Sequence, residues 1–180
     1  MKFEEIKTRR LILRKLTPEV YKFVFENLSE EELVEFFGLD SSADLFTEEN
    51  RYRKGLATFN KSVLIFQLVD ALEKNVIGWC GFHTWYLDHF RAELGYMLTN
   101  DKYKDKALMS EALASVIDYG FQKMNLHRIE AMVGAANIPS LKLMEKFKFK
   151  KEGHLREHYF KNNRMEDSLV FSLLKSEYAR

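Results

Sequence analysis

The stretch AELGYMLTNDKYKDKALMSEALASVIDYGFQKMNLHRIEAMV, residues 92–133, decides the fold. It begins with a predicted strand, Ala92–Leu98, and ends with a second predicted strand, Ile129–Val133. Between them, apolar residues recur at i, i+3, i+4 and i+7 from Met109 to Met124, which predicts an amphipathic helix. A helix between two strands is the usual connection of a parallel pair, because parallel strands need a crossover that returns the chain to the same end of the sheet. The stretch therefore predicts one parallel strand pair with a helix packed over it.

Antiparallel strands are predicted on both sides of this unit. A nearly unbroken apolar run and an aromatic, β-branched run are separated by the short turn 73–75, so they form a hairpin. Near the end of the chain, two further strands are joined through Asn162-Asn163, and asparagine tolerates the positive φ of such turns. The strands predicted outside the central stretch are 11–16, 63–69, 76–87, about 150–160 and 165–174.

Helices are predicted by their start signals. Thr17-Pro18 supplies an N-cap and a first-turn proline. Ser29 with Glu32 three residues later forms a capping box, and Gly38 suits the end of that helix. A third helical stretch opens at Thr47, with the apolar residues Tyr52, Leu56 and Phe59, and a last helix begins at Asn137-Ile138-Pro139-Ser140. The predicted fold class is a mixed, mostly antiparallel α/β sheet with one parallel pair and helices on both faces.

Length and composition indicate a single domain covering residues 1–180. The chain has 180 residues, of which 46% are hydrophobic, enough for a sizeable core. Lysine plus arginine number 28 and aspartate plus glutamate 27, and this balance argues against a nucleic-acid-binding protein. The first seven residues lack the apolar run of a signal peptide, and no segment reaches the roughly 20 apolar residues of a membrane span. A cytoplasmic protein that binds neither nucleic acid nor membrane is expected.

No metal site is predicted. The one cysteine, Cys80, lies in an apolar run, which favours a buried inert thiol, and it cannot form a cysteine-rich zinc site. The five histidines show no ligand spacing such as His-x-x-x-His; they are His83, His89, His127, His154 and His158.

Seven motifs, in this order and at these spacings, resemble N-acetyltransferases of the GNAT superfamily, in the RimJ/RimL-like group. The resemblance covers about residues 6 to 178 and implies the GNAT fold, in which the parallel strand pair is splayed. The motifs are Thr8–Arg14, Ile77–Phe82, Ala92–Leu98, Leu126–Ala131, Asn137–Ser140, Glu152–Glu157 and Asp167–Leu174.

The resemblance implies acetyl-CoA as co-substrate. In this family the N-terminus of the helix after the first parallel strand binds the CoA diphosphate, since its free N–H groups and the helix dipole attract anions. The chain departs from the family where close relatives often carry glycine, because Asp105 and Ala107 stand there. The implied cofactor-binding residues are Met97 and Leu98 for the pantetheine, Lys104, Asp105, Lys106, Ala107, Leu108, Met109 and Ser110 for the diphosphate, and Asn137.

The implied chemistry is direct attack of an amine on the thioester, without a metal. A lysine-like amine has a pKa of about 10.4 and needs a base, whereas a protein N-terminus at about 7.7–8.0 needs little help. Glu93, acting through water, is one candidate base and Glu157 is another; a solvated or ion-paired carboxylate is the alternative for Glu93. Ser140 matches the serine that RimL-like enzymes use as general acid, although a serine there can also simply serve a first helical turn. Met144 stands where many other GNAT proteins place a tyrosine.

The acceptor is left open between a protein N-terminus and a small amine. Candidate substrate-binding residues are His83, Trp85, Tyr86 and Tyr159, with strand packing as the alternative for the first three. Family members are often dimers, so a homodimer is one expected assembly. A degenerate GNAT domain that binds acyl-CoA or a partner without turnover is the competing hypothesis, motivated by Asp105 and Ala107.

Overall fold

One mixed sheet organises the molecule. In a computed structural model, residues 3–53, 57–58, 61–161 and 163–178 are described. Within those ranges nine strands form one sheet in the order β1-β2-β4-β5-β6-β7-β9-β8, with β3 paired to β4. The strands are β1 (Glu5–Lys7), β2 (Leu11–Leu16), β3 (Ala57–Thr58), β4 (Lys61–Asp70), β5 (Val76–Tyr86), β6 (Arg91–Leu98), β7 (Arg128–Gly134), β8 (Lys150–Lys161) and β9 (Arg164–Leu174).

Five α-helices connect these strands in the described ranges: α1 (Pro18–Asn27), α2 (Glu30–Phe37), α3 (Leu45–Arg53), α4 (Leu108–Gln122) and α5 (Ile138–Lys146). Their ends follow the sequence signals. Thr17 caps α1 by accepting a hydrogen bond from the Val20 N–H. Ser29 and Glu32 form the capping box of α2, and Gly38 ends that helix in the left-handed conformation that glycine adopts easily.

The sheet has a core on each face. On one face, α4 packs through Leu113 and Ile117 against strand residues such as Phe66 and Phe82, all of them fully buried or nearly so. On the other face, α1, α2 and α3 build a smaller aromatic core around Tyr21 and Phe37. Among the strand pairings of the described residues, β6–β7 alone is parallel and the others are antiparallel. The predicted mixed α/β fold with helices on both faces is therefore confirmed.

The departures from the sequence prediction are local. The third helix begins at Leu45, two residues before the predicted Thr47, and ends at Arg53. Ala57–Thr58 form a strand with β4, so the helix does not continue as predicted, while Leu56 and Phe59 lie outside the described residues. β1 was not predicted, because it is three residues long and exposes two of them. The turn after β8 contains Asn163 at a φ of 58°, and Asn162 lies outside the described residues.

Candidate active site

The two strands of the parallel pair hold together over three residues and then separate. Their register ends with Glu93 opposite Glu130. Beyond that point β6 continues beside β5 to Leu98, and β7 continues beside β9 to Gly134. A cavity of about 230 Å³ lies where the strands diverge, and we call it the β6–β7 cleft. The facing strand edges keep backbone groups that an extended ligand can pair with.

Glu93 lies at the closed end of the β6–β7 cleft beside His83. The Glu93 side chain is 13% exposed, and its Oε1 lies 3.6 Å from His83 Nε2. His83 is the extra residue of a β-bulge in β5, between Phe82 opposite Leu94 and Thr84 opposite Glu93. β-bulges often re-aim a side chain next to an active site. The pair can take a proton from an amine directly or through one water.

Gly95 makes room for this arrangement. A Cβ atom at Gly95 would lie 2.5 Å from His83 Cδ2, so any larger residue would push the imidazole away. Tyr159 of β8 completes this side of the cleft. Partial burial, with a second contribution from the negative charge of Glu93, raises the pKa of the Tyr159 phenol.

Ser140 and Asn137 form the opposite wall of the cleft, at the start of α5. Asn137 is the N-cap, and its Oδ1 accepts a hydrogen bond of 3.2 Å from the Ser140 N–H. Pro139 in the first turn suits this helix start. This bond holds the Ser140 backbone at the wall of the cleft, and the residue is only 9% exposed. A hydroxyl in this place can donate a proton to a departing thiolate.

Tyr96 is a candidate that the sequence did not single out. Its phenol oxygen is buried without a hydrogen-bond partner in the described part of the chain, and the residue lines the cleft with Ser140. Burial raises the pKa of this phenol, and the nearby Ser140 hydroxyl partly offsets the effect. A buried unpaired hydroxyl is costly and calls for an explanation. In the sequence Tyr96 is one residue of an apolar strand, which gave no reason to separate it from the core tyrosines.

The loop before α4 has left-handed backbone at the two positions where the resemblance to GNAT proteins leads one to expect glycine. Asp105 has a φ of 57° and Ala107 a φ of 55°, both left-handed. This conformation costs alanine about 1 kcal/mol, whereas aspartate visits it more readily. Ala107 is the N-cap of α4 and has no side chain that could accept from the first turn. The N–H groups at the start of α4 are therefore left for a ligand.

The remaining predicted cofactor residues surround this loop. Lys104 forms an ion pair with Asp101, and Lys106 is exposed. Leu108, Met109 and Ser110 are the first buried residues of α4. Within the described residues, no side-chain hydrogen bond caps the first turn of α4, so Asp105 does not act as its cap. Met97 and Leu98 lie at the open end of β6, beyond the last residue paired with β7.

Three predicted residues lie outside the β6–β7 cleft. Glu157 belongs to an irregular segment of β8, where residues 156–158 oppose the single residue Asp167. Its N–H donates to Asp167 Oδ1 at 2.8 Å, and its side chain is exposed to solvent. Trp85 packs against the core on the α4 face, and the Tyr86 ring lies 3.9 Å from the Arg91 guanidinium carbon. The structure thus brings together Glu93, His83, Ser140, Asn137 and Tyr159, but not these three.

A second cavity of about 310 Å³ adjoins the first on the face covered by α1, α2 and α3. We call it the acidic cavity, because Asp40, Asp44 and Glu48 line it, together with aromatic and aliphatic residues. Trp79 of β5 lines both cavities, so they lie side by side. Asp40 and Asp44 are exposed, and Glu48 is buried and accepts a hydrogen bond of 2.8 Å from the Tyr21 hydroxyl. This surface attracts positively charged groups.

The described residues contain no group of three or more histidine, cysteine, aspartate or glutamate residues placed to hold a metal ion. In the same ranges, no helix has both the length and the apolar character needed to cross a membrane.

Comparison with known proteins identifies the family. A family model described as an acetyltransferase (GNAT) domain matches residues 10–150. An uncharacterized N-acetyltransferase of Bacillus licheniformis is 36% identical over 98% of this chain and 99% of its own length. The ribosomal protein uS5-alanine N-acetyltransferase of Escherichia coli is 30% identical over 65% of this chain and 60% of its own. A solved structure of a spermidine N-acetyltransferase variant from Vibrio cholerae is 26% identical, with a TM-score of 0.70, over 96% of this chain and 98% of that one.

The family match spans most of the chain, and the first of these relatives aligns from end to end. The splayed pair β6–β7, the helix that follows β6 and the cleft between the strands agree with that match. The chain therefore belongs to the GNAT acetyltransferase family and is an N-acetyltransferase.

Proposed function

We propose that the protein moves the acetyl group of acetyl-CoA onto a primary amine by direct attack within a ternary complex. The observation that carries this proposal is the β6–β7 cleft, which has a carboxylate and an imidazole at its closed end and a buried hydroxyl in its wall. The cleft begins where strand pairing ends, so its edges offer backbone groups along one side of an extended molecule. The first turn of α4 supplies the N–H groups for a diphosphate.

The donor would be held by this chain's own backbone over most of its length. The backbone of Met97 and Leu98 pairs with the pantetheine as a further strand would. The loop from Lys104 to Ser110 surrounds the diphosphate, with Lys104 and Lys106 offsetting the charge of Asp105. Asn137 contacts the pantetheine from the other side while it caps α5. A backbone N–H near Met97 stabilises the oxyanion.

The reaction itself then needs three proton transfers. Glu93 accepts a proton from the ammonium group, directly or through water, with His83 beside it, and the free amine attacks the thioester carbonyl. As the C–S bond breaks, Ser140 gives a proton to the leaving thiolate and takes up, directly or through water, the proton that the nitrogen loses when it becomes an amide. Because a thiol of pKa about 8.5 leaves fairly easily, the acid contributes less than the base. Tyr159 and His83 border the acceptor side, whereas we leave Glu157, Trp85 and Tyr86 out of the site because they lie outside the cleft.

The acidic cavity supports a small amine with a second positive charge as acceptor. It adjoins the β6–β7 cleft through Trp79, and Asp40 and Asp44 are exposed at its surface. One similar protein is named for spermidine, which is such an amine, and another for an alanine of the ribosomal protein uS5. A peptide N-terminus brings no second cation unless a basic residue follows it. A cytoplasmic location and a homodimer stay predictions.

Release of free CoA thiol measures the proposed activity. We expect diamines to outperform monoamines of equal length by about 5-fold in kcat/KM, because one exposed ion pair contributes on the order of 1 kcal/mol. The double variant Asp40→Asn, Asp44→Asn should abolish this preference and leave monoamines unaffected. A peptide panel with different N-terminal residues tests the other acceptor class. If no amine or peptide raises thiol release above the rate of acetyl-CoA hydrolysis, the chain is the non-catalytic GNAT domain of the competing hypothesis.

A further inference from the structure

The loop before α4 is tied to the start of the chain by one arginine. Arg10 Nη1 donates to the carbonyl oxygen of Lys106 at 2.9 Å. Lys106 stands between Asp105 and Ala107, the two residues in the left-handed conformation. The hydrogen bond therefore holds the Lys106–Ala107 peptide, at the residue that the two left-handed residues flank.

A carboxylate on α4 holds this arginine in place. Glu111 Oε2 accepts from Arg10 Nε at 2.8 Å, and Glu111 Oε1 accepts from the Arg10 backbone N–H at 2.7 Å. The Thr8 hydroxyl donates to the same Oε1 at 2.5 Å. Burial alone would raise the pKa of Glu111, but the bonds from Thr8 and Arg10 outweigh it and keep the pKa below its ordinary value. The four groups connect the segment between β1 and β2, the loop and the first turn of α4. We call them the Arg10 clamp (Thr8, Arg10, Lys106 carbonyl and Glu111).

The clamp also removes an electrostatic conflict. Glu111 lies in the first turn of α4, where a carboxylate would compete with a bound diphosphate for the positive end of the helix. Arg10 neutralises it at hydrogen-bonding distance. A charge-assisted bond between two partly buried groups is stronger than a neutral one.

We propose that Arg10 is a positioning residue for acetyl-CoA: it holds the glycine-free loop in the shape that exposes the first-turn N–H groups of α4 to the diphosphate. This inference rests on the proposed function. In a relative with glycines at positions 105 and 107 the loop would reach this shape without help. Here the shape is imposed from outside the loop by a residue about a hundred positions earlier in the chain.

Two acetyl donors distinguish a loss of diphosphate binding from a general loss of activity. Acetyl-CoA carries the diphosphate, whereas S-acetylpantetheine has the same thioester and pantetheine arm without it. For Arg10→Ala we expect the KM for acetyl-CoA and the Kd for CoA to rise about 10-fold, with kcat changed less than 2-fold. The kinetic constants for S-acetylpantetheine should stay at the wild-type values. Arg9→Ala, which removes an exposed neighbouring arginine, is the matched control and should behave as wild type.

Restoring the family's glycines provides the second test. In the triple variant Arg10→Ala, Asp105→Gly, Ala107→Gly, the affinity for CoA should return to within about 3-fold of wild type, because glycine adopts the left-handed conformation without the clamp. If Arg10→Ala does not fold, Arg10→Lys takes its place in both tests. Lysine keeps the positive charge but lacks the planar guanidinium that bonds Glu111 and the Lys106 carbonyl together.

The outcomes are separable. If the wild-type protein fails to bind CoA, the proposed function is wrong and the clamp has no ligand to serve. If wild type binds CoA and Arg10→Ala binds it equally well, the positioning role is wrong while the proposed function stands. Equal losses with both donors, or no recovery in the triple variant, would also overturn the positioning role, since they indicate damage to the fold alone.

Discussion

The variant Glu93→Gln should lose about 100-fold or more in kcat for a lysine-like amine at pH 7. Glutamine keeps the size of the side chain beside His83 but cannot accept the proton of an ammonium group. Positioned bases contribute about 10²–10⁴-fold. Because such an amine has a pKa of about 10.4, the free base becomes abundant as the pH rises, and the defect should shrink steadily toward pH 10. Initial rates of thiol release across pH 6–10 measure both effects.

Ser140→Ala is the companion measurement for the acid. We expect a fall of about 10-fold in kcat, with no recovery at high pH, because the serine acts on the thiolate and not on the amine. The KM for acetyl-CoA should change little, since the bond from Asn137 goes to the Ser140 backbone N–H and survives. For Glu93→Gln, a wild-type rate at pH 7 would show that Glu93 is not the base. A loss of rate that is the same at every pH would show that Glu93 has a structural role instead.

The variant Gly81→Ala should destabilise the fold by about 3 kcal/mol, the upper end of the usual cost of overpacking. Gly81 lies in the middle of β5, opposite Ile65 of β4 and Gly95 of β6. A Cβ atom there would come within 2.3 Å of the Leu64 carbonyl oxygen and 2.7 Å of Ile65 Cα. Both neighbours are backbone atoms of a central strand, so neither can move aside without breaking the ladder. Urea unfolding followed by circular dichroism measures the difference.

Gly153→Ala is the matched control on the same sheet. Gly153 lies in β8 at the sheet edge, and a Cβ atom there would approach nothing closer than 3.9 Å from Val170. This variant should unfold within about 0.5 kcal/mol of wild type. Equal stabilities of Gly81→Ala and Gly153→Ala would mean that β4 and β5 do not approach each other as closely as described.

Most of the fold followed from local patterns, because those patterns reflect burial. Apolar residues repeat with the helical period over α4, and the stripe is buried from Met109 to Phe121, while Met124 lies beyond the helix and is partly exposed. The helix ends at Thr17, Ser29 and Gly38 could be predicted because each is set by residues within a few positions of it and by no contact from elsewhere in the chain. β1 was not predicted because its three residues show no strand pattern of their own. It is a strand because it pairs with β2. α3 begins earlier than predicted, at Leu45, which is buried against the aromatic core.

Membership of a family motif did not decide which predicted residues lie in the cleft: His83 and Tyr159 line it from outside the motifs, whereas Glu157 belongs to a motif and lies outside the cleft. Glu93, Asn137 and Ser140 meet in one cleft, and each belongs to a motif that the sequence shows. Glu157 did not join them, because an irregular stretch of β8 moves it outward and alternation cannot reveal such a bulge.

The features of the candidate site that could not be predicted from the sequence depend on contacts between residues far apart in the chain. Arg10 and Glu111 are 101 positions apart, so nothing local connects them. Tyr96 differs from a core tyrosine only by its unpaired hydroxyl, which is a property of its surroundings. The left-handed backbone at Asp105 and Ala107 likewise depends on what holds the loop.

The most direct measurement is the thermal stability of the protein as acetyl-CoA is added. A ligand present at about 100 times its Kd stabilises the folded state by about 2.7 kcal/mol, which for a chain of this size raises Tm by about 5–10 °C. Binding at the first turn of α4 predicts this rise with acetyl-CoA and a much smaller one with S-acetylpantetheine at the same concentration. An unchanged Tm in millimolar acetyl-CoA would contradict the claim that this loop, without its glycines, binds the coenzyme.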